Sequence, residues 1–228
     1  YKFVLADLDY AETNLPATRS GNLRVTRPVR GAAIALKTRV KLHQGDWAGV
    51  IAEGNKIISA AAPFTSPISG FALQAAPNGP FTNGFTTESV FSIENSAQDN
   101  PGVNGALAAM LGNPAKGGRG LVRISPIAYN LAEWPLNDRR RTTLLEADAR
   151  SYYSAKYTDY TNRSDNAPIL RYAEVLLNVS EAIARTTTGV DARALALLGA
   201  VRNRAVVDEK DRYTAASFAD NKALVRAI

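Results

Sequence analysis

Glu174 and Glu181 stand in a largely apolar stretch running from Asn166 to Arg185, with Arg171, Asn178 and Arg185 beside them at intervals of three and four residues. Two carboxylates are what glycosidic bond cleavage requires, one as acid and one as base or nucleophile. The spacing argues against that chemistry. Seven helical residues set the two positions roughly 10.5 Å apart along a helix axis, beyond the usual separation of such a pair. The same residues fit an internal ion-pair network, Arg171 with Glu174 and Glu181 with Arg185, at positions that face each other on a helix. Arg171, Glu174 and Glu181 are therefore read as structural.

Other catalytic chemistries find little support. The chain has no cysteine and one histidine, His43, which removes thiolate nucleophiles, disulfides and histidine-rich metal sites together. His43 falls near a helix end, where the dipole favours it, and no G-x-S-x-G elbow accompanies it. Gly117-Gly118-Arg119-Gly120 has the glycines of a phosphate loop but lacks the Lys-Ser/Thr pair that would hold phosphate, so it reads as a turn. No catalytic residue, metal or cofactor is expected. The net charge of +6 would suit a polyanion, yet the basic residues are mixed with acids along the chain, and the dense run Arg139-Arg140-Arg141 follows Asp138. A nucleic-acid interface needs a basic stripe interleaved with aromatics, and none is found.

A sugar-binding surface needs flat aromatic faces with polar groups around them. Phe81, Phe85, Tyr129 and Trp134 offer flat faces for pyranose rings, and Asn83, Arg123, Asn130 and Glu133 beside them offer groups that match hydroxyls. A long loop also uses aromatics to fasten itself to its scaffold, and both readings stand at this point.

These residues lie in a loop-rich segment. Residues 63–135 hold 9 of the 16 glycines and 8 of the 11 prolines, which excludes regular helix over most of that length apart from a short apolar stretch at Gly105 to Leu111. A long loop-rich insertion in a compact domain is usually functional. The flanking segments are helical. Tyr1, Val4, Leu5, Leu8 and Leu15 share a helical face that Pro16 closes. Thr26 is placed to cap a second helix with Pro28 in its first turn and Val29, Ala32, Ala33, Leu36 and Val40 inward. Gly45 suits a helix C-terminus, and Asp46 can cap a third helix carrying Trp47, Val50, Ile51, Gly54, Ile57, Ile58 and Ala61, with Trp47 a packing residue. The hairpin from Pro28 to Ala62 has nearly the 34-residue period of tetratricopeptide repeats. Residues 136–165, rich in tyrosine, read as extended structure, and Asn166 to Arg185 reads as one buried helix. After a turn at Thr186 to Gly189, Asp191 can cap a further helix with Ala194, Leu197, Leu198, Val201 and Ala205 on one face, and a last helix starts near Ser217. The expected fold is all-α: tetratricopeptide-like helical hairpins in 1–62 and 166–228, a long loop-rich insertion at 63–135 as the candidate ligand region, and a polar connector at 136–165, together making a single domain. No apolar run approaches the roughly 20 residues of a membrane span. The absence of a starting Met and the stop inside a helical pattern point to a piece of a longer protein.

Several segments in this order resemble the SusD/RagB family of nutrient-binding outer-membrane lipoproteins. Pro168-Ile169-Leu170-Arg171-Tyr172-Ala173-Glu174-Val175-Leu176-Leu177-Asn178 with Glu181-Ala182 is similar to the family's best-known motif, and Ala194 to Leu198 with Val201-Arg202-Asn203-Arg204-Ala205 resembles its arginine-rich signature. Asp7-Leu8, Leu15-Pro16, Arg27 to Ala33, Leu42, Gly45-Asp46-Trp47, Leu136-Asn137-Asp138-Arg139 and Lys156-Tyr157 fall in the expected sequence. The resemblance implies a non-catalytic binding protein that captures oligosaccharides, or peptides in some branches, at the cell surface. It implies a SusC-like TonB-dependent porin as partner, and a lipid anchor on the outer membrane that is absent from this chain. The alternative is a helical-repeat scaffold that binds a peptide or protein in its groove.

Overall fold

The computed structural model describes residues 1–82, 84–149 and 151–228. The N-terminal part holds helices α1 (Lys2–Asn14), α2 (Leu23–Thr26), α3 (Arg30–Gln44) and α4 (Trp47–Ile57). The middle of the chain has α5 (Gly79–Thr82), strand β1 (Ser89–Ile93), α6 (Leu107–Leu111), α7 (Pro126–Tyr129), α8 (Arg140–Thr143), and strands β2 (Leu145–Ala147) and β3 (Tyr152–Ser154). Strand β4 (Ala167–Arg171) then leads into α9 (Tyr172–Thr186), α10 (Ala192–Arg202) and α11 (Asn221–Ala227). The fold is mostly helical, as expected, with two short antiparallel ladders added, β1 with β4 and β2 with β3.

Two helical hairpins form the scaffold. In the first, Gly45 adopts the left-handed conformation (φ +73°) that closes α3, and Asp46 accepts from the Gly49 N–H at 2.9 Å to open α4. In the second, Asp191 accepts from the N–H groups of Arg193 and Ala194, and α10 folds back on α9. The hairpins meet where α4 crosses α9, around a core of Val50, Ile57, Val175, Leu176, Val179 and Leu197. Gly54 permits that approach: a Cβ there would lie 2.1 Å from Cγ2 of Val179, a side chain whose rotamer is nearly fixed in a helix. Gly54→Ala is expected to lose stability. Overpacking of about 1–3 kcal/mol exceeds the roughly 1 kcal/mol that alanine gains over glycine in a helix. A thermal melt checks it, and a raised Tm would refute the close packing.

The stretch read as one helix from Asn166 is instead a strand and a helix. Pro168 lacks a backbone N–H and steers Ala167 away from helical angles, so the chain arrives extended and pairs with β1, with Leu170 opposite Phe91. Helix begins only at Tyr172, whose N–H donates to the Glu88 carbonyl and whose hydroxyl donates to the Ile57 carbonyl at 2.8 Å. Arg171 therefore stands outside the helix with extended angles, and its expected pairing with Glu174 does not occur. Arg171 binds Glu88 at 3.2 Å, while Glu174 takes two bonds from Arg39 of α3 at 2.5 and 2.6 Å. Glu181 does pair with Arg185, at 2.7 Å. Asn178 turns inward to donate to the Thr38 hydroxyl.

Smaller expectations are also corrected. Thr26 does not cap the second helix: its hydroxyl donates to the Asn22 carbonyl within α2, and Val29 occupies the cap position of α3, which leaves Pro28 before the helix rather than in its first turn. Ala205 is buried but lies past the end of α10, and the last helix starts at Asn221 behind Asp220, whose side chain reaches the Ala223 N–H, with Ser217 in a preceding turn. On α1, Tyr1 and Val4 are exposed; Leu5, Leu8 and Leu15 are half-buried. What ties α1 down is Lys37 of α3, 1 % exposed, whose ammonium meets Asp9 at 2.8 Å, Glu53 at 3.2 Å and also Glu12. Burial pushes the Lys37 ammonium down, but its carboxylate partners outweigh that and hold it above the usual lysine range.

Candidate functional site

The loop-rich middle of the chain is fastened to the scaffold by buried charge. Glu88, just before β1, is 0 % exposed. Its carboxylate takes two bonds from Arg204, one of them 2.9 Å, together with Arg171 and the Gln74 N–H at 2.9 Å. A single carboxylate thus joins three regions: the loop before β1, the strand leading into α9, and the segment after α10.

A second fastening point is Arg141 of α8, also buried. It donates to three carbonyls of the preceding loop, those of Pro135 (2.9 Å), Tyr129 (2.7 Å) and Trp134 (2.6 Å). Its guanidinium lies 4.3 Å from the centre of the Tyr129 ring and 4.5 Å from that of Trp134. Tyr129 in turn stacks on Tyr152 of β3, with centroids 3.8 Å apart, and meets the Trp134 ring edge-on. Next to this cluster, Asp138 accepts from the Arg140 N–H at 2.8 Å and from its guanidinium. Burial pushes the Asp138 carboxyl up, but these Arg140 contacts more than offset it and hold it below the usual aspartate range. A depressed folded value means the contribution is present above about pH 4 and is lost as pH falls through that lower value. Asp138→Asn should therefore be less stable than the parent at neutral pH, with the gap closing on acidification; denaturant melts at the two pH values check this.

The other aromatic group gathers around Phe81 of α5. The Tyr157 ring meets it edge-on at 5.9 Å, while the Lys156 ammonium and the Arg171 guanidinium each lie 5.1 Å from its centre. Burial, with Arg171 adding to it, holds the Lys156 ammonium below the usual lysine range, and burial pushes the Tyr157 hydroxyl up. Phe81, Phe85, Tyr157, Asn95, Asp165 and Asn166 line a cavity of about 350 Å³. Tyr157 also lines a larger cleft of about 1180 Å³, which runs past Trp134 to Tyr213 and Phe218 ahead of α11. Tyr157 thus lines both spaces.

The expected site residues therefore fall in three places. Phe81 and Phe85 are together on the smaller cavity; Trp134 lines the larger one with Glu133, while its neighbour Tyr129 is stacked inside the loop. Arg123 and Asn130 are apart from both: Arg123 lies exposed over the Tyr153 ring near Ser151, and the Asn130 side chain donates to the Pro126 carbonyl. Asn83 lies outside the described residues. The aromatics are half-buried, each in contact with a cavity or with a neighbouring ring. Sequence reasoning missed Lys156, Arg141 and Glu88 as organising groups and did not single out Tyr157. The signal for Arg141 was present in the triple arginine after Asp138, which read only as a charge run.

Two helical hairpins and the loop-rich middle of the chain thus border an aromatic-lined cleft. The SusD family model matches residues 88–227, more than half of the chain, and the chain belongs to that family. Among solved structures, a SusD superfamily protein from Bacteroides fragilis is similar over all of this chain and 49 % of its own, at 24 % identity and a TM-score of 0.76. One from Bacteroides thetaiotaomicron is similar over 96 % of this chain and 50 % of its own, at 20 % identity and a TM-score of 0.74. Surface glycan-binding protein A from Bacteroides thetaiotaomicron, in complex with laminarihexaose, is similar over all of this chain and 57 % of its own, at 17 % identity and a TM-score of 0.71. At such identities the likeness establishes the fold, and the chain spans about half the length of these structures. No curated protein matches the sequence.

Proposed function

We propose that this chain is the cleft-bearing part of a non-catalytic cell-surface protein that captures an oligosaccharide for import through a SusC-like TonB-dependent porin of the outer membrane. The observation that carries the reading is that aromatic rings line both spaces, Phe81 and Tyr157 the smaller and Tyr157 and Trp134 the larger. Ring faces bordered by amide, carboxylate and cationic groups match a pyranose, which has an apolar face and a polar rim, and concave sites of this size take small ligands. The fold shared with a laminarihexaose-bound surface protein and the family membership support the same reading. Glu174 and Glu181 are engaged in ion pairs with Arg39 and Arg185 and line neither space. Arg123 and Asn130 line neither space.

The test is titration of the chain with plant, microbial and host oligosaccharides and with a peptide mixture. Saturable binding of an oligosaccharide class is expected. Binding of peptides alone would favour the rival scaffold reading. One observation bears on that rival: Phe3 and Tyr10, two turns apart on α1 and 83 % and 71 % exposed, share an apolar face suited to a protein contact. Charging that face by Phe3→Glu with Tyr10→Glu should leave glycan binding unchanged; a loss would move the ligand contact onto the scaffold.

A further inference from the structure

The larger cleft differs from an ordinary sugar site in its charge. Four cations line it, Arg140, Lys156, Arg202 and Arg226, against one carboxylate, Glu133. Asp138 neutralises Arg140. Among the described residues the other three make no ion pair: Arg202 donates to the Asp211 carbonyl and lies 3.9 Å from the Tyr213 ring, and Lys156 and Arg226 have no carboxylate within 4 Å. Elsewhere Lys37 is matched by three carboxylates and Arg204 by Glu88, while Arg141 is held by three carbonyls and two ring faces. The cleft thus gathers three cations that have no carboxylate partner among the described residues.

Lys156 is the clearest case. It is half-buried, fixed over the face of Phe81, and shares that ring with a second cation, Arg171. Burying an unpaired ammonium beside a guanidinium costs free energy that an incoming anion would recover. A partly enclosed cleft in which one sign of charge prevails also concentrates ligands of the opposite sign. The lowered lysine range noted above agrees with a cation that lacks its counter-charge.

Resting on the glycan-binding reading, we propose that the cleft selects acidic oligosaccharides, with Lys156 and Arg226 meeting ring carboxylates or sulfate esters while Trp134 and Tyr157 carry the sugar faces. Uronates and sulfated sugars share the chemistry that matters, an anionic group on the edge of a ring whose face is apolar. Guanidinium and ammonium donors hold either anion through charge-assisted bonds.

Titration of the 228-residue chain tests it, with oligogalacturonides, the same oligosaccharides after reduction of their carboxyls, sulfated chondroitin oligosaccharides and polyglutamate. At least one acidic set should bind about tenfold more tightly than the reduced one, the equivalent of one charge-assisted bond, and its affinity should fall as salt is raised. Lys156→Gln should cut the acidic-to-neutral affinity ratio about tenfold. Arg226→Gln, at an exposed position on α11, should lower the same ratio and serves as the second variant if Lys156→Gln fails to fold. Which acidic set binds identifies the anion. Equal affinity for oxidised and reduced oligosaccharides would overturn the proposal and leave glycan capture standing. Polyglutamate binding as tightly as the acidic sugars would overturn it in favour of a polyanion patch, and binding of no glycan at all would remove it together with the reading on which it rests.

Discussion

Glu88→Ala should lower the stability of the protein by about 3–5 kcal/mol, the cost of breaking a buried ion pair and stranding its partner. Glu88 has no exposed surface and is shared by Arg204, Arg171 and the Gln74 N–H. Its removal leaves Arg204, almost fully enclosed, without a carboxylate, and it frees the loop before β1 from both the strand leading into α9 and the segment after α10. The comparison with Glu174→Ala makes the test sharp. Glu174 and Arg39 are each about one third exposed, so solvent replaces much of what their pair supplies, and the loss there should be near the 0–1 kcal/mol of surface bridges. Melts of the two variants side by side decide the matter. A larger loss from Glu174→Ala would place the main ionic fastening on α9 instead.

Trp134→Ala should weaken oligosaccharide binding by about tenfold or more, the effect of truncating a well-placed aromatic anchor of roughly 2 kcal/mol. The variant is informative because the loop does not depend on the indole alone. Arg141 holds the main-chain carbonyls of Tyr129, Trp134 and Pro135, and these bonds survive truncation of the side chain. A loss of affinity with only a modest change in Tm therefore reports the ring face. Tyr157→Ala should show a comparable loss, because Tyr157 borders both spaces. If Trp134→Ala and Tyr157→Ala bind as the parent does, the aromatics serve only to fasten the loop.

Much of the scaffold was legible in the sequence because its signals are local. Asp46 and Asp191 cap helices at the positions their spacing indicated, Gly45 takes the left-handed angle, and the 35-residue span from Pro28 to Ala62 contains a helical hairpin. The error at Arg171 had a local cause that competed with the pattern. The polar residues from 171 to 185 keep helical spacing, yet Pro168 and the β1 edge hold the first five residues extended. Periodicity alone does not register a partner strand nearly eighty residues away. The same limit applies to the cleft. Phe81 and Trp134 were marked by residue type, whereas the meeting of residue 81 with residues 156, 157 and 171 is tertiary, and no spacing along the chain encodes it. Glu88 is another such case, one acidic residue in a loop whose partners are set by long-range folding alone.

The central claim is that recognition belongs to the aromatic cleft between the loop-rich middle of the chain and α9–α11, and not to a groove along α3 and α4. Hydrogen–deuterium exchange, measured with and without an oligosaccharide that binds in titration, tests it most directly. Protection gathered at residues 81–85, 131–134 and 154–157, with α3 and α4 unchanged, is the predicted result. Protection along α3 and α4 that leaves those loop segments unaffected would contradict it.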